Sequence, residues 1–376
     1  MKSVEIIRGT AAIAVISMMF CGIVSARDGD TITAAELIRD FSLEQQDVPV
    51  SQLPGWRKPQ RILVLFADAD RMQWLAATAP EVEFIAAADF TEAQRVVAGV
   101  DAVLGYCSPE LISAGVRLTW VQAYSAGVDR CMEGSLIKDR RILLTNMQRI
   151  YGPEISEHVM AMLFMFSRGL YRYYPRQLAG EWDNQAVPQE QMWELKGKTM
   201  LVVGLGGIGT EIARRAHALG MRVVATRNSS RSGPAFVDYV GLADELLELV
   251  PRADVVVNAT PLTPATTDLF DAGFFQRMKS TAYFINIGRG RSVVTDDLLA
   301  ALEGGHLAGA GLDVTEPEPL PPGHPLWKHP NVIITPHISG FSDLRSERFW
   351  VLVRENLRRY VKGEAMLNVV DPDKGY

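Results

Sequence analysis

Cysteine is scarce in this chain: three occur in 376 residues, at Cys21, Cys107 and Cys131. Together with six histidines they show no C-x-x-C or H-E-x-x-H spacing, so neither a disulfide scaffold nor a metal site is indicated. Positive charge is not in excess. Lys and Arg number 38 against 44 Asp and Glu, a net charge of −6, which argues against a surface that grips nucleic acid. Heptads and internal repeats are missing. No apolar run reaches the roughly 20 residues of a membrane-spanning helix, so no stable transmembrane span is expected. What is present is 48% apolar residue content with 31 Gly and 20 Pro. Those proportions exclude a mainly disordered or collagen-like chain. At roughly 100–200 residues per domain, the length suits two domains with ample core.

Residues 1–26 combine Lys2 and Arg8 with an apolar stretch from Thr10 to Val24, then Val24-Ser25-Ala26 before Arg27. That is the layout of a cleavable signal peptide. Export to a periplasmic or secreted location is therefore expected, with a cytoplasmic chain as the alternative. Met18-Met19-Phe20 before Cys21 makes no lipobox. Cys107 and Cys131 remain in an exported chain. They pair only if the fold brings them within reach, and two buried free thiols is the default expectation. Residues 27–57 read as a linker. A short amphipathic helix is expected over 34–46, with Leu37, Ile38 and Phe41 on one side, before Pro49, Pro54 and Gly55.

From Arg61 onward, short apolar runs alternate with helix-like segments. Strands are expected at 61–66 and 82–86 and a helix at 70–78, with further signals at 91–98, 101–105, 109–114, 119–123 and 141–145. A second series places strands at 199–203, 221–226, 254–258, 282–287, 308–314 and 332–335. Helices fit between them at 208–219, 242–250, 271–279 and 295–303. Such alternation predicts an α/β fold with parallel sheets covered on both faces. The helix beginning near Pro153 is apolar almost all round over Glu157–Phe166, which predicts burial between layers. Its methionines read as core. Residues 171–193 read as a polar, aromatic connection. The last helix, near 343–362, carries Arg348, Arg354, Arg358 and Arg359, read as a solvated face.

The second series opens with Val202-Val-Gly204-Leu-Gly206-Gly-Ile-Gly209, a G-x-G-x-x-G pattern between a strand and a helix. In that context it is a dinucleotide fingerprint. Gly204 permits the tight turn, Gly206 lets backbone approach a pyrophosphate, and Gly209 lets the helix lie close on the strand. Free N–H groups at the helix start then stabilise phosphate charge. The next strand end, where NAD-binding units place a carboxylate for the ribose 2′-OH, reads Thr226-Arg227-Asn228-Ser229-Ser230-Arg231. Arg227 and Arg231 suit a 2′-phosphate, with Ser229 and Ser230 as hydrogen-bond donors. NADP(H) is therefore the expected cofactor, with NAD(H) possible.

Three further loops follow strand ends of the same sheet: Gly288-Arg289-Gly290, Glu316-Pro-Glu318-Pro-Leu320 and Pro336-His337. Ligands in open α/β sheets bind beyond those ends. A guanidinium, a carboxylate and an imidazole meeting there would suit reduction of a 2-oxo acid. Arginine holds the substrate carboxylate and polarises the ketone. Histidine protonates the forming alkoxide. A neighbouring carboxylate favours imidazolium and fixes its tautomer.

At these motifs the chain resembles the D-isomer-specific 2-hydroxyacid dehydrogenase family, from about Arg61 to Asp371. The resemblance rests on Leu195-Lys-Gly-Lys, the Gly204–Gly209 turn, Ala259-Thr-Pro-Leu-Thr263, Asn286-Ile-Gly-Arg-Gly290, Leu312-Asp-Val314, and His324-Pro-Leu-Trp327 through Thr335-Pro-His337. It implies catalytic roles for Arg289, His337 and, rather than Glu316, Glu318. It implies that Ser125, Ala126 and Gly127, in Tyr124-Ser-Ala-Gly-Val-Asp129, bind the substrate carboxylate through backbone N–H groups. Candidate cofactor contacts are Gly204, Gly206, Gly207, Ile208, Gly209, Arg227, Asn228, Ser229, Arg231, Thr260, Pro261, Ile287, Gly288 and Asp313.

The resemblance further implies two doubly wound, Rossmann-like domains with a cleft between them. The substrate domain is expected at 58–152 plus 341–376 and the dinucleotide domain at 153–340. A homodimer is expected, with a small 2-oxo or 2-hydroxy acid as the partner molecule and no metal. Within the family the chain looks most like NADPH-linked glyoxylate and hydroxypyruvate reductases. Alternatives are the same fold acting on formate or phosphite, or a non-catalytic dinucleotide-sensing protein. An exported reductase conflicts with the cytoplasmic supply of NADPH. Either the first segment is not a signal, or the enzyme leaves with its cofactor bound, or its activity lies elsewhere.

Overall fold

The computed structural model describes residues 32–376; the expected signal segment, Cys21 and the start of the expected linker lie outside the described residues. The first sheet contains β1 (Arg61–Leu65), β2 (Glu83–Ala87), β3 (Ala102–Gly105), β4 (Trp120–Ala123) and β5 (Leu143–Thr145), in the order β2-β1-β3-β4-β5. The second contains β6 (Thr199–Val203), β7 (Arg222–Thr226), β8 (Tyr239–Gly241), β9 (Val255–Asn258), β10 (Tyr283–Asn286), β11 (Gly309–Leu312) and β12 (Val332–Ile334). Its order is β12-β11-β10-β9-β6-β7-β8. Every strand pair in both sheets is parallel. The architecture is thus α/β with two Rossmann-like sheets, as the alternation of elements predicts. The central strands are buried on both faces, which explains their unbroken apolar runs. In the second sheet β6 lies between β9 and β7, so the strand order reverses there, and the glycine turn sits at that switch point.

The helix Gly152–Ser167 starts with Pro153 in its first turn and buries Ile155, Val159, Met160, Met162, Leu163 and Phe166. One apolar cluster joins these to Val64 and Trp120 of the first sheet and to Met200 and Ile285 of the second. Phe166 stacks on Tyr283 at 4.8 Å. Burial of each such side chain contributes about 1.5–3 kcal/mol. The final helix, Arg345–Lys362, packs on the first sheet. Tyr360 stacks on Trp120 at 4.6 Å, and Asn356 Nδ2 donates to Gln122 Oε1 at 2.8 Å.

Several expectations are corrected. The helix expected over 34–46 ends at Asp40, because Ser42 takes a left-handed conformation with φ 48°. The segment expected as a linker is packed rather than free: Leu37, Leu43 and Val50 are buried. The stretch 171–193 contains a helix, Leu170–Leu178, that Pro175 hides from a composition reading without breaking it. Strand β8 was not expected. Arg348 is no solvated residue: it is buried and donates to Glu154 Oε2 at 2.9 Å. Arg358 and Arg359 pair with Glu355 on the same helix. Cys107 and Cys131, expected as free thiols, form a disulfide with their Cα atoms 5.3 Å apart, within the reach of such a bond. No helix among the described residues is long and apolar enough to cross a membrane.

Candidate active site

The glycine turn leaves β6 and enters the helix Gly207–Ala218. Gly204 has φ +99°, a conformation that side chains with a Cβ rarely adopt. A Cβ on Gly209 would fall 2.1 Å from the Gly204 carbonyl oxygen, so only glycine lets the helix approach. At Gly206, the residue before the helix, an added Cβ would meet nothing within 4 Å. The turn therefore presents open space beside the helix N–H groups of Gly207 and Ile208, which donate to no acceptor among the described residues, and these residues fit a pyrophosphate.

The loop after β7 is the predicted 2′-phosphate site. The Arg227 side chain donates, among the described residues, only to the Ser232 carbonyl, at 3.3 Å. Asn228 Nδ2 lies 3.3 Å from the Tyr376 hydroxyl. Arg231 is engaged elsewhere: its Nη1 lies 2.6 Å from Glu245 Oε1 and 3.1 Å from the Tyr239 hydroxyl. Arg231 and Tyr239 hold the Glu245 carboxyl down to about 2. A carboxylate thus stands beside this loop, contributed from further along the chain, where the local sequence shows none. Ser229 is exposed on the same loop.

Two buried asparagines organise the next strand ends. Asn258 and Asn286 are register partners at the ends of β9 and β10, and Asn258 Nδ2 donates to Asn286 Oδ1 at 2.9 Å. Asn258 Oδ1 accepts from the backbone and hydroxyl of Thr260, which fixes the turn leading to Pro261. Asn286 accepts from the Gly288 N–H and donates to the Arg289 carbonyl, fixing the Ile287–Arg289 loop. The sequence reading did not single out these asparagines; a polar residue closing an apolar strand is the signal that marks them.

Arg289 comes from the second sheet and reaches the loop after β4 in the first. Its Nε donates to Asp129 Oδ1 at 2.9 Å and its Nη1 to the Gly288 carbonyl at 2.9 Å. A Cβ on Gly127 would fall 1.7 Å from Arg289 Nη2, so the guanidinium lies directly on the Ser125–Gly127 backbone. Ser125 Oγ donates to the Gly127 carbonyl, and buried Asn146 donates to the Ala126 carbonyl at 2.7 Å. Among the described residues, the backbone N–H groups of 125–127 donate to no protein acceptor.

His337 follows β12 and has φ 54°, a strained left-handed residue of a kind that gathers at functional sites. Asp313, at the end of β11, enforces that shape. Its backbone carbonyl accepts from the His337 N–H at 2.8 Å, and its carboxylate accepts from the Thr335 hydroxyl and the Ile338 and Ser339 N–H groups. Burial pushes the Asp313 carboxyl up, but these hydrogen bonds outweigh it and hold it below the ordinary range. The Asp313 side chain, expected as a cofactor contact, is bonded to the loop that carries His337. Glu318 Oε1 lies 2.7 Å from His337 Nδ1. Burial raises the Glu318 carboxyl, yet the His337 hydrogen bond and the charges of His337 and Arg289 lower it overall. The structure thereby brings Arg289, Glu318, His337 and the Ser125–Gly127 loop to one place. That set can bind a carboxylate, polarise a carbonyl and deliver a proton.

Comparisons with known proteins show what the chain as a whole is similar to. A family described as D-isomer specific 2-hydroxyacid dehydrogenase, NAD binding domain, matches residues 160–339. The chain is 34% identical over 281 residues to the human glyoxylate reductase/hydroxypyruvate reductase, covering 73% of this chain and 85% of that protein. It is 33% identical to the glyoxylate reductase of Korarchaeum cryptofilum, covering 70% of this chain and 79% of that one. Among solved structures it resembles the NADPH-dependent glyoxylate/hydroxypyruvate reductase of Sinorhizobium meliloti in complex with NADP and sulfate. There the identity is 30%, with 84% of this chain and 100% of that chain covered and a TM-score of 0.72.

Proposed function

The chain belongs to the D-isomer-specific 2-hydroxyacid dehydrogenase family, oxidoreductases that act on the CH–OH group through NAD(P)-linked 2-oxo acid reduction, and from that premise we propose a glyoxylate/hydroxypyruvate-type reductase that prefers NADPH. The observation that carries this reading is the linked set in which Arg289 lies on the Gly127 backbone, the next residue, Gly290, lies against the Thr315–Glu316 backbone, and Glu318 bonds His337. The substrate part is 58–152 with 341–376 and the dinucleotide part 153–340; the packing of the final helix on the first sheet supports that division.

The glycine turn, Gly204–Gly209, would hold the pyrophosphate, Thr260, Pro261, Ile287 and Gly288 would line the strand ends beside it, and a nicotinamide held there would supply the hydride chemistry of 2-oxo acid reduction. Arg289 and the N–H groups of Ser125, Ala126 and Gly127 hold the substrate carboxylate. With Nδ1 on Glu318, His337 presents Nε2 to the ketone oxygen and delivers the proton there. Glu318, kept ionised, stabilises the imidazolium before transfer. The product is a D-2-hydroxy acid. The Arg227 side chain supports NADPH because, among the described residues, it bonds only the Ser232 carbonyl and so is available to a 2′-phosphate.

Separately, we propose export to an oxidising compartment, with a cytoplasmic chain as the alternative; the Cys107–Cys131 pair supports export. We also propose a homodimer. Leu170, Tyr174, Leu178 and Trp182 are exposed along one short stretch, Trp182 by 99%, as a face that a second copy would cover. Mass spectrometry of the native N-terminus tests export; an intact Met1 rejects it. Sedimentation tests the dimer. The activity itself is tested by NADPH oxidation over glyoxylate, hydroxypyruvate, pyruvate and phenylpyruvate, with NADP reduction over formate and phosphite. Turnover of glyoxylate or hydroxypyruvate above the others is expected. Turnover of formate or phosphite alone, or cofactor binding with no turnover, rejects the reading.

A further inference from the structure

The acid that holds Arg289 comes from the other sheet. Asp129 stands on the turn after β4, while Arg289 follows β10, and both side chains are only 25% exposed. A guanidinium has five N–H donors in a rigid fork. In Arg289 the Nε–H is taken by Asp129 and one Nη1–H by the Gly288 carbonyl. The Nη2 end then lies on the Gly127 backbone, facing the loop whose N–H groups are unpaired. Asp129 therefore decides which edge of the fork is offered to a substrate carboxylate. Without it, the side chain is tethered only by a bond to its neighbour's carbonyl and loses its orientation.

Asp129 opens a short turn, Asp129–Cys131, in which the Cys131 N–H donates to the Val128 carbonyl at 2.8 Å. The third residue of that turn is bonded to Cys107, two residues beyond the end of β3, and both cysteines are buried. Because β3 and β4 are neighbours in the sheet, the disulfide pins the turn carrying Asp129 to the adjacent strand end.

We propose that Asp129 is a positioning residue for Arg289 and that the Cys107–Cys131 disulfide fixes its placement, so that substrate binding responds to thiol reduction. This rests on the reading above in which Arg289 holds the substrate carboxylate. Reduction by a dithiol such as dithiothreitol transfers two electrons and two protons: the S–S bond breaks, two cysteine thiols form, and the reductant closes to its own cyclic disulfide.

The test uses the full chain, with KM and kcat for glyoxylate at saturating NADPH and KM for NADPH measured separately. Asp129→Asn is expected to raise the KM for glyoxylate about tenfold, the scale of one hydrogen bond to a charged group, and to leave the KM for NADPH within about twofold. Asp129→Glu is expected to recover part of the loss. Dithiothreitol, with thiols titrated to show reduction, is expected to raise the wild-type KM for glyoxylate several-fold and to change Asp129→Asn little. The double variant Cys107→Ala with Cys131→Ala is expected to behave as reduced wild type; if it does not fold, the reduction of wild type alone, followed by circular dichroism, decides. If Arg289→Gln raises KM while Asp129→Asn does not, the positioning role of Asp129 is overturned. If Asp129→Asn raises KM but reduction does not, the disulfide's part falls. If Arg289→Gln itself leaves KM unchanged, the carboxylate reading of Arg289 fails instead.

Discussion

His337 Nδ1 lies 2.7 Å from Glu318 Oε1, joining the loop after β12 to the loop after β11. One ring nitrogen is thereby committed to the carboxylate, and Nε2 is left as the single nitrogen able to serve a substrate. Glu318 and not Glu316 makes this bond; the Glu316 backbone carbonyl instead accepts from Thr295.

His337→Ala is expected to lower kcat at least about a hundredfold, the scale of general acid catalysis, with the KM for NADPH little changed. Glu318→Gln keeps the shape but not the charge, and a loss of about tenfold or more is expected. Steady-state NADPH oxidation checks both. Near-normal turnover in His337→Ala removes this residue from the reaction.

Much of this arrangement is legible in the sequence, and the reasons are local. Strands announce themselves as apolar runs because they are buried on both faces, and the Gly204–Gly209 turn because its backbone tolerates no Cβ. Arg289, Glu318 and His337 stand out because each follows a strand end. What the sequence hides is mutual approach. Asp129 meets Arg289 across 160 positions, and Glu154 meets Arg348 across 194. Glu245 reaches Arg231 only because β8 turns the chain back, and β8 is three residues long, too short for a periodic signal. The helix Leu170–Leu178 is masked by Pro175, which a reader takes as a stop.

Nucleotide preference turns on two arginines in different states. Among the described residues the Arg227 side chain bonds only one carbonyl, whereas Arg231 is paired with Glu245. Arg227→Asp puts a negative charge where a 2′-phosphate would lie and is expected to lower the NADPH-to-NADH ratio of kcat/KM by at least about tenfold. Glu245→Gln releases Arg231 and is expected to raise that ratio. An unchanged ratio in Arg227→Asp rejects the role given to this loop.

Arg348 and Glu154 tie the final helix to the helix Gly152–Ser167 inside the protein. Burial pushes the Glu154 carboxyl up, and the nearby backbone and the Arg348 charge offset only part of that. Arg348→Ala strands the acid and is expected to cost about 3–5 kcal/mol in urea unfolding. Replacing both partners, Glu154→Leu with Arg348→Met, removes the stranded charge and is expected to recover most of the loss. A double variant no better than Arg348→Ala contradicts this account.

Asp313 gives stability a pH dependence of defined sign. Its carboxyl is held below the ordinary range by the hydrogen bonds that shape the His337 loop. A group whose folded value is lowered stabilises above its unfolded value, near about 4, and that contribution is lost as pH falls through the folded value. Asp313→Asn retains one acceptor oxygen for a site that uses two, and an expected cost of about 1–3 kcal/mol follows at neutral pH. The gap in unfolding free energy between wild type and Asp313→Asn is expected to stay level from neutral pH down to about 5 and to narrow below about 4. A gap that instead narrows on the alkaline side would contradict the ionised, hydrogen-bonded state of Asp313. Because the same bonds set the left-handed turn at His337, the variant is also expected to lose kcat at neutral pH, where its fold is still intact.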